Sequence, residues 1–308
     1  MEPHIVVVGS TMIDMITYSK KIPDPGETVV GESFSIGFGG KGANQATMAR
    51  RLRVKVSMVN TIGDDVFGDT IIQNFESQGI NTEFVIRVTG SSGVAPIWVE
   101  PDGTNRIICV PGANNAMTSE QARAAIGELS HISVVIGQLE IPQEVTAAAF
   151  AAARNLGITT ILNPAPFAAI SAELLANCDW IIPNETEFSS MNPKGFGPTT
   201  DEIIGELATT FNCRFAVTLG SAGAAFSTPG GKIIRLSAPK VQAVDTTGAG
   251  DAFVGAFAVG LALGLDDGRA IQLGIDCASE SVTRLGAQSS YPSEAHAREI
   301  LKAVKEKK

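Results

Sequence analysis

The segment Val244-Asp245-Thr246-Thr247-Gly248-Ala249-Gly250-Asp251-Ala252-Phe253 sets a carboxylate directly after three small residues. Gly248, Ala249 and Gly250 let the backbone turn tightly and leave its N–H groups uncovered. The apolar stretch from Ala252 to Leu265 reads as a buried helix that this turn opens. A helix N-terminus with bare N–H groups attracts anions. A lone carboxylate, Asp251, beside such an anion hole suits a hydroxyl that must lose a proton while it attacks phosphate. The same residues also suit a plainer arrangement: an Asp stabilised by the dipole at a helix start, with Gly248 and Gly250 merely forming the turn.

A second dense motif, Gly37-Phe38-Gly39-Gly40-Lys41-Gly42-Ala43-Asn44-Gln45, literally contains G-x-G-x-x-G. A dinucleotide fingerprint belongs at the first βα turn. Here that turn is Gly9-Ser10-Thr11-Met12-Ile13-Asp14, with one glycine, so a nicotinamide-dependent dehydrogenase is rejected. A P-loop is rejected too, because Lys41 is followed by Gly42 rather than Ser or Thr. What remains is a loop where the backbone, Lys41 and Asn44 approach a polyhydroxyl ligand closely, or glycines that only admit a tight crossing. Asp14, just past the first strand, sits on the same rim, and a carboxylate accepts two adjacent hydroxyl hydrogens of a sugar diol. Glu140 ends another strand and joins it. Asn184-Glu185-Thr186-Glu187 follows a further strand, and Glu187 suits Mg²⁺ held through water. Taken singly, Glu140 and Glu187 are ordinary solvated charges; their shared position at strand ends groups them.

The elements that must position these groups are strands alternating with helices. Short apolar, β-branched runs recur at His4 to Gly9, Lys55 to Ile62, Ile132 to Gln138, Thr159 to Asn163, Trp180 to Pro183 and Phe215 to Leu219. Helical spacing lies between them, at Ala43 to Leu52, Val66 to Ser77, Ser119 to Leu129, Gln143 to Leu156 and Asp201 to Phe211. Several of these helices begin with good caps, such as Thr118 and Thr200. The expected class is α/β, a mainly parallel central sheet flanked by helices, with ligands at the carboxyl ends of the strands. Two stretches, about 15–38 and 84–110, break the alternation and predict a small projecting antiparallel sheet, a lid on a single domain spanning 1–308. Its exposed apolar face needs a subunit interface or closure to cover it. No repeat, linker or low-complexity segment interrupts the chain.

The 308 residues carry 44% hydrophobic and 18% charged residues and a net charge of −9, which excludes disorder and argues against a nucleic-acid partner. The Lys-rich tail, Lys302 to Lys308, reads as the frayed end of a final helix. Cys109, Cys178, Cys213 and Cys277 form no CxxC pair and read as buried thiols in a reducing compartment. His4, His131 and His296 show no zinc spacing with them. With no signal peptide and no apolar run of transmembrane length, the expectation is a cytoplasmic protein without a membrane partner.

Together, Gly39 through Ala46 and Asp245 through Asp251 resemble the two signatures of the ribokinase-like (PfkB) sugar kinases, and Asn184 through Glu187 resembles that family's Asn-x-x-Glu motif. Gly286-Ala287-Gln288-Ser289-Ser290-Tyr291-Pro292 is similar to the C-terminal segment of ribokinases. The resemblance spans essentially the whole chain. It implies a ribokinase-like fold with a β-sheet lid, homodimerisation through that lid, and ATP-dependent phosphorylation of a pentose at its 5-hydroxyl. By similarity Asp251 is the catalytic base and Gly248, Ala249 and Gly250 the anion hole. Asp14, Gly40, Lys41, Asn44 and Glu140 hold the sugar, and Asn184, Thr218, Gly220 and Gly250 serve ATP. Glu187 serves Mg²⁺, and Asp245, Thr247, Ser281, Arg284, Gly286 and Ser290 supply oxygens to an activating K⁺. Two departures stand out. Arg53 replaces a Gly that ends a helix in the left-handed conformation, so the helix is strained there or ends differently. Met12 replaces the Asn that faces the sugar in many bacterial relatives; the sequence around it resembles 2-deoxyribose kinases, although some ribokinases also carry Met. D-ribose is therefore the expected substrate and 2-deoxy-D-ribose the alternative. A non-catalytic sugar or nucleotide sensor is the other-class alternative, opposed by the presence of Asp251 and its glycines.

Overall fold

β-branched apolar runs become strands buried on both faces, as a parallel sheet between helix layers demands. The computed structural model describes residues 2–192 and 199–306. In chain order it begins with β1 (His4–Val8), β2 (Met12–Tyr18), β3 (Ser33–Gly39), α1 (Lys41–Arg51), β4 (Lys55–Gly63), α2 (Val66–Ser77) and β5 (Asn81–Val88). β6 (Val94–Val99), β7 (Asn105–Ile107), α3 (Ser119–Glu128), β8 (Ile132–Gly137), α4 (Gln143–Asn155) and β9 (Thr159–Leu162) follow. Then come α5 (Ala172–Leu175), β10 (Trp180–Ile181), α6 (Glu185–Met191), α7 (Asp201–Thr210) and β11 (Arg214–Thr218). The described chain ends with β12 (Ala224–Ser227), β13 (Ile233–Leu236), α8 (Ala249–Ala262), α9 (Asp267–Ser281) and α10 (Glu294–Glu306). Of the Lys-rich tail, Lys302 to Glu306 is helical; Lys307 and Lys308 lie outside the described residues.

The large sheet has nine strands in the order β13-β12-β11-β10-β9-β8-β1-β4-β5. It is parallel from β11 to β5, with β12 and β13 added antiparallel at one edge. Alternation sorts the core: Ile5 and Val7 of β1 join a cluster with α1, α8 and α9, while Val6 and Val8 face a second cluster with α3 and α4. Each such fully buried aliphatic side chain contributes roughly 1.5–3 kcal/mol. Helix α8 is apolar all round, as a helix with no solvent face must be; Asp251 to Gly260 are all buried.

The small sheet runs β3-β2-β6-β7. Its outer strands lie antiparallel to their neighbours, and the central pair, β2 and β6, is parallel. Its bounds differ from the expected ones at two places. The first lid strand begins at Met12, so Asp14 lies within β2 rather than in a loop after β1. Residues 84–88 belong to β5, an edge strand of the large sheet, where Phe84 pairs with Val59; the alternating pattern of an edge strand half-covered by α2 resembles that of a lid strand. Cys109 is exposed beside β7, contrary to the expected burial, while the other three thiols are buried.

Candidate active site

Most described helices with a side-chain N-cap start away from the chemistry. Asp65, Thr118, Thr200 and Asp266 each accept a backbone N–H at the start of α2, α3, α7 and α9. Helices α1 and α8 are different. Their N-caps are Gly40 (φ 86°) and Gly248 (φ 74°), neither of which offers a side chain. At Gly248 an added Cβ would also lie 2.9 Å from the Ala287 Cβ, so the residue is required twice over. The two glycine-rich motifs therefore become two helix starts without a side-chain cap of their own. At α1 the N–H groups of Lys41, Gly42 and Ala43 are taken by Glu140 Oε2, the Ser10 hydroxyl and the Ser10 carbonyl, while Asp251 stands in the first turn of α8.

Helix α8 begins at Ala249, three residues earlier than its apolar run. The Ala249 N–H donates to the Thr246 carbonyl at 3.2 Å. That removes one of the three expected anion-hole donors and leaves the positions of Gly248 and Gly250 for that role. No atom lies within 4 Å of where a Gly250 Cβ would stand. Lys41, Asn163, Asn184, Glu187, Thr218, Thr246, Gly250 and Asp251 line one cavity of about 200 Å³ there. A larger hollow of about 530 Å³ lies at the opposite ends of the strands, beside Cys178 and Cys213. It gathers none of the predicted site residues.

Asp251 is only 6% exposed. The Asn44 side-chain amide donates to its Oδ2 and that of Gln45 to its Oδ1, both at 2.9 Å. Two amide donors leave about half of the carboxylate's lone-pair positions open. Burial is the largest influence on Lys41 and acts to lower it, yet the charges of Asp251, Glu140 and Glu187 hold the ammonium above its ordinary value. Glu187 is pushed up by burial, with Asp251 adding to this against the Asn184 N–H and Lys41. Asn184 and Glu187 form a reciprocal capping box at the start of α6. This commits the Asn184 carbonyl oxygen to the helix and leaves its NH₂ free to donate. Asn184 also bridges to Thr218, which joins the ends of β10 and β11. Gly220 follows in a short 3₁₀ turn.

On the other side of Lys41, Glu140 Oε2 accepts hydrogen bonds from the Ser10 hydroxyl and the Lys41 N–H. Asp14 has no described hydrogen-bond donor; burial, then the charge of Glu140, push its carboxyl up to about 6. The carboxylate fits against Gly39, where a Cβ would sit 2.2 Å from Oδ1. Met12 is buried at the head of β2, paired with Gly39, and its backbone nitrogen lies 2.8 Å from where a Gly40 Cβ would stand.

Asp245, Thr247 and Gly286 come together: Asp245 accepts from the Thr247 N–H and hydroxyl and from the Gly286 N–H. Burial alone would raise Asp245, but these bonds hold it below the usual carboxylate range. Ser281 and Arg284 flank the same turn. Ser290 is another residue expected at the cation, and its carbonyl accepts from the Arg284 guanidinium at 2.7 and 3.0 Å. A carbonyl already facing a guanidinium is a poor cation ligand, which leaves the Ser290 hydroxyl, a donor to the Ala287 carbonyl at 2.7 Å, as that residue's oxygen for a cation. No cluster of three or more His, Cys, Asp or Glu suited to a metal occurs among the described residues. Sequence reasoning gave no role to Gln138, Asn163 and Gln288, or to Gln45 beyond its place in a motif. Their signal was an amide at or beside a strand end or in a glycine-rich segment, too common to single out.

The cavity gathers a carboxylate, a lysine and open helix N–H groups, and the chemistry that combination serves is phosphoryl transfer. A family model described as pfkB family carbohydrate kinase matches residues 2–294, and the chain belongs to that family. A deoxyribokinase of Salmonella typhi is 40% identical over 94% of this chain and 95% of its own. A ribokinase of Schizosaccharomyces pombe is 38% identical over the same shares, 94% and 95%. Among solved structures, a ribokinase of Arabidopsis thaliana complexed with ribose and ATP has a TM-score of 0.88 at 32% identity, covering 98% of this chain and 99% of that one. The ribokinase of Thermotoga maritima has a TM-score of 0.87 at 35% identity over 98% and 99%.

Proposed function

We propose that the protein transfers the γ-phosphoryl group of ATP to the 5-hydroxyl of a pentose, D-ribose in the first instance. The observation that carries this is Asp251, buried between two amide donors at the unblocked N-terminus of α8 and facing Lys41 across a small cavity. In this reading Asp14 and Glu140 accept the sugar's hydroxyl hydrogens, while Asn44, Lys41 and the Gly40 backbone fix the ring. Asp251 takes the 5-hydroxyl proton as the oxygen attacks phosphorus. Amides at the start of α8, around Gly248 and Gly250, receive the charge that develops on the phosphoryl oxygens. Asn184, Thr218 and Gly220 run alongside the nucleotide.

The residues fit a Mg²⁺ ion on the nucleotide side. Glu187 presents a carboxylate to the cavity, and a single carboxylate with waters suits this ion. When bound it neutralises charge on the ATP phosphates. An activating K⁺ fits the turn around Asp245, Thr247, Ser281 and Gly286, where a carboxylate held ionised meets clustered backbone. The Arg284 carbonyl and the Ser290 hydroxyl oxygen complete that set, the Ser290 carbonyl being engaged by the Arg284 guanidinium. Phe34 and Ile36, side by side on one face of β3, are 56% and 53% exposed, and Ile107 is 52% exposed. An apolar face of this kind needs cover, which supports a homodimer through the small sheet. No helix among the described residues is long and apolar enough to cross a membrane. The free thiols suit a reducing, cytoplasmic setting.

An ADP-release screen over pentoses, deoxypentoses and nucleosides, with and without K⁺, tests the reading. Ribose turnover stimulated by K⁺ is expected, and silence with every sugar refutes it. The second reading, 2-deoxyribose, is favoured by Met12, which packs against a CH₂ better than against a hydroxyl. The ratio of kcat/KM for ribose over deoxyribose is expected to rise in Met12→Asn; an unchanged ratio removes Met12 from specificity.

A further inference from the structure

The carboxylate of Asp251 is the meeting point of two chains of buried amides. On one side the Gln138 Nε2 donates to Gln45 Oε1 at 2.7 Å, and Gln45 Nε2 donates to Asp251 at 2.9 Å. On the other, Gln288 Nε2 donates to Asn44 Oδ1 at 3.1 Å, and Asn44 donates to Asp251. Gln45 Nε2 also reaches Asn163 Oδ1 at 3.1 Å, and Asn163 is itself tied to the Ile182 carbonyl. Gln45 and Gln138 are wholly buried.

The direction of these bonds is dictated by chemistry. An ionised carboxylate only accepts, so each amide touching Asp251 must turn its NH₂ inward and its carbonyl outward. The outer amides then present their own NH₂ groups to those carbonyls. Each chain is polarised toward the carboxylate, and bonds aligned head to tail strengthen one another. Among the four amides of the two chains, Gln138 has no second function in view. Its Oε1 is buried without a partner among the described residues, and an added Cβ on Gly9 would meet that atom at 2.0 Å. Leaving a buried carbonyl unpaired is costly, and the Gln138 NH₂ is spent entirely on Gln45.

We infer that Gln45 and Gln138 act as a positioning relay that fixes the side-chain rotamer of Asp251 for proton transfer, without touching the sugar or the nucleotide. The inference rests on Asp251 being the base. Geometry within the reach of a hydrogen bond governs such transfer, so the relay serves kcat and leaves sugar affinity alone. Asn44 differs, because it is also expected at the sugar.

The test is steady-state kinetics of Gln45→Met and Gln138→Met, which keep shape and remove the amide, together with the double variant. For Gln45→Met kcat is expected to fall roughly 10- to 100-fold, the worth of a hydrogen bond to a charged group, with ribose KM within about twofold. Gln138→Met is expected to show a smaller loss of the same kind. The double variant is expected to lose no more kcat than Gln45→Met alone, because the outer amide acts only through the inner one. Multiplicative losses in the double variant, or KM rising in step with the fall in kcat, overturn the relay. If Gln45→Met does not fold, the kcat-to-KM split in Gln138→Met decides alone, and an unchanged kcat there overturns it. A wild-type protein that phosphorylates no sugar refutes the kinase reading instead.

Discussion

Replacing Asp14 by Asn is expected to make the sugar-free protein more stable at neutral pH while removing its affinity for sugar. Burial, then the neighbouring Glu140, lift the Asp14 carboxyl from the ordinary 3.8 to about 6. A raised acid favours folding only while it is protonated. The contribution is fully present below about pH 4 and is lost as pH rises through 6. At 1.36 kcal/mol per tenfold change in the ionisation constant, the ionised form costs the fold up to about 3 kcal/mol at pH 7 and above. Asparagine has the same shape, fits against Gly39 and carries no charge. By size scaling, a gain of about 3 kcal/mol raises Tm by roughly 4–5 °C in a chain this long. The assay is thermal unfolding of both proteins from pH 4 to 8, with and without ribose. The difference should be small at pH 4 and grow to a plateau near pH 7. Ribose should raise Tm for the wild type alone, because binding to the folded state stabilises it. A Tm difference independent of pH, or a less stable Asp14→Asn at pH 7, refutes the argument that this carboxylate is kept at a cost for the sake of a ligand.

Four further variants have outcomes set by the same geometry. Asp251→Asn is expected to lower kcat by roughly 10³-fold or more with sugar KM little changed; near-normal kcat in an initial-rate assay removes Asp251 as the base. Arg53 closes α1 at φ 62°, the strained alternative, with only a half-exposed contact to Glu294 at 3.2 Å in return. Arg53→Gly is expected to raise stability by about 1 kcal/mol, read as a higher urea midpoint at constant slope. Gly248→Ala meets Ala287 at 2.9 Å in a left-handed conformation and is expected to lose about 2 kcal/mol or more of stability. Gly250→Ala has open space and is expected to keep stability but lose kcat/KM for ATP; equal melting losses in the two variants refute the distinction.

The parts of the fold that sequence made legible are those where one local pattern decides. β1 needs no context, because a run of five buried residues between polar punctuation suits a strand covered on both faces. β5 and the small-sheet strands share a half-covered alternation, and only the pairing of Phe84 with Val59 assigns 84–88 to the large sheet. The start of α8 moved for a similar reason. Hydrophobicity marks where a helix is buried, whereas Gly248 in a left-handed conformation marks where it begins.

The site divides along the same line. Lys41, Asn44, Glu140, Asn184, Glu187 and Asp251 stand just past strands, at helix starts or in glycine-rich segments, so local punctuation exposed them; Asp14 drew notice as a carboxylate soon after β1, although it lies within β2. The Gln45 and Gln138 amides did not stand out, since their meaning lies in partners 206 and 93 residues away in the chain. Yet the sequence holds one nonlocal hint. A helix normally closes its first turn with a Ser, Thr, Asp or Asn cap, and here α1 and α8 both begin at a glycine instead. Omitting the cap leaves N–H groups unsatisfied unless something else accepts from them, a cost of stability that makes sense at α8, where a ligand supplies the missing acceptors. At α1 the protein fills those positions itself, through Glu140 and Ser10, so the anion site belongs to α8, and α1 contributes to it through Asn44 and Gln45, which hold Asp251.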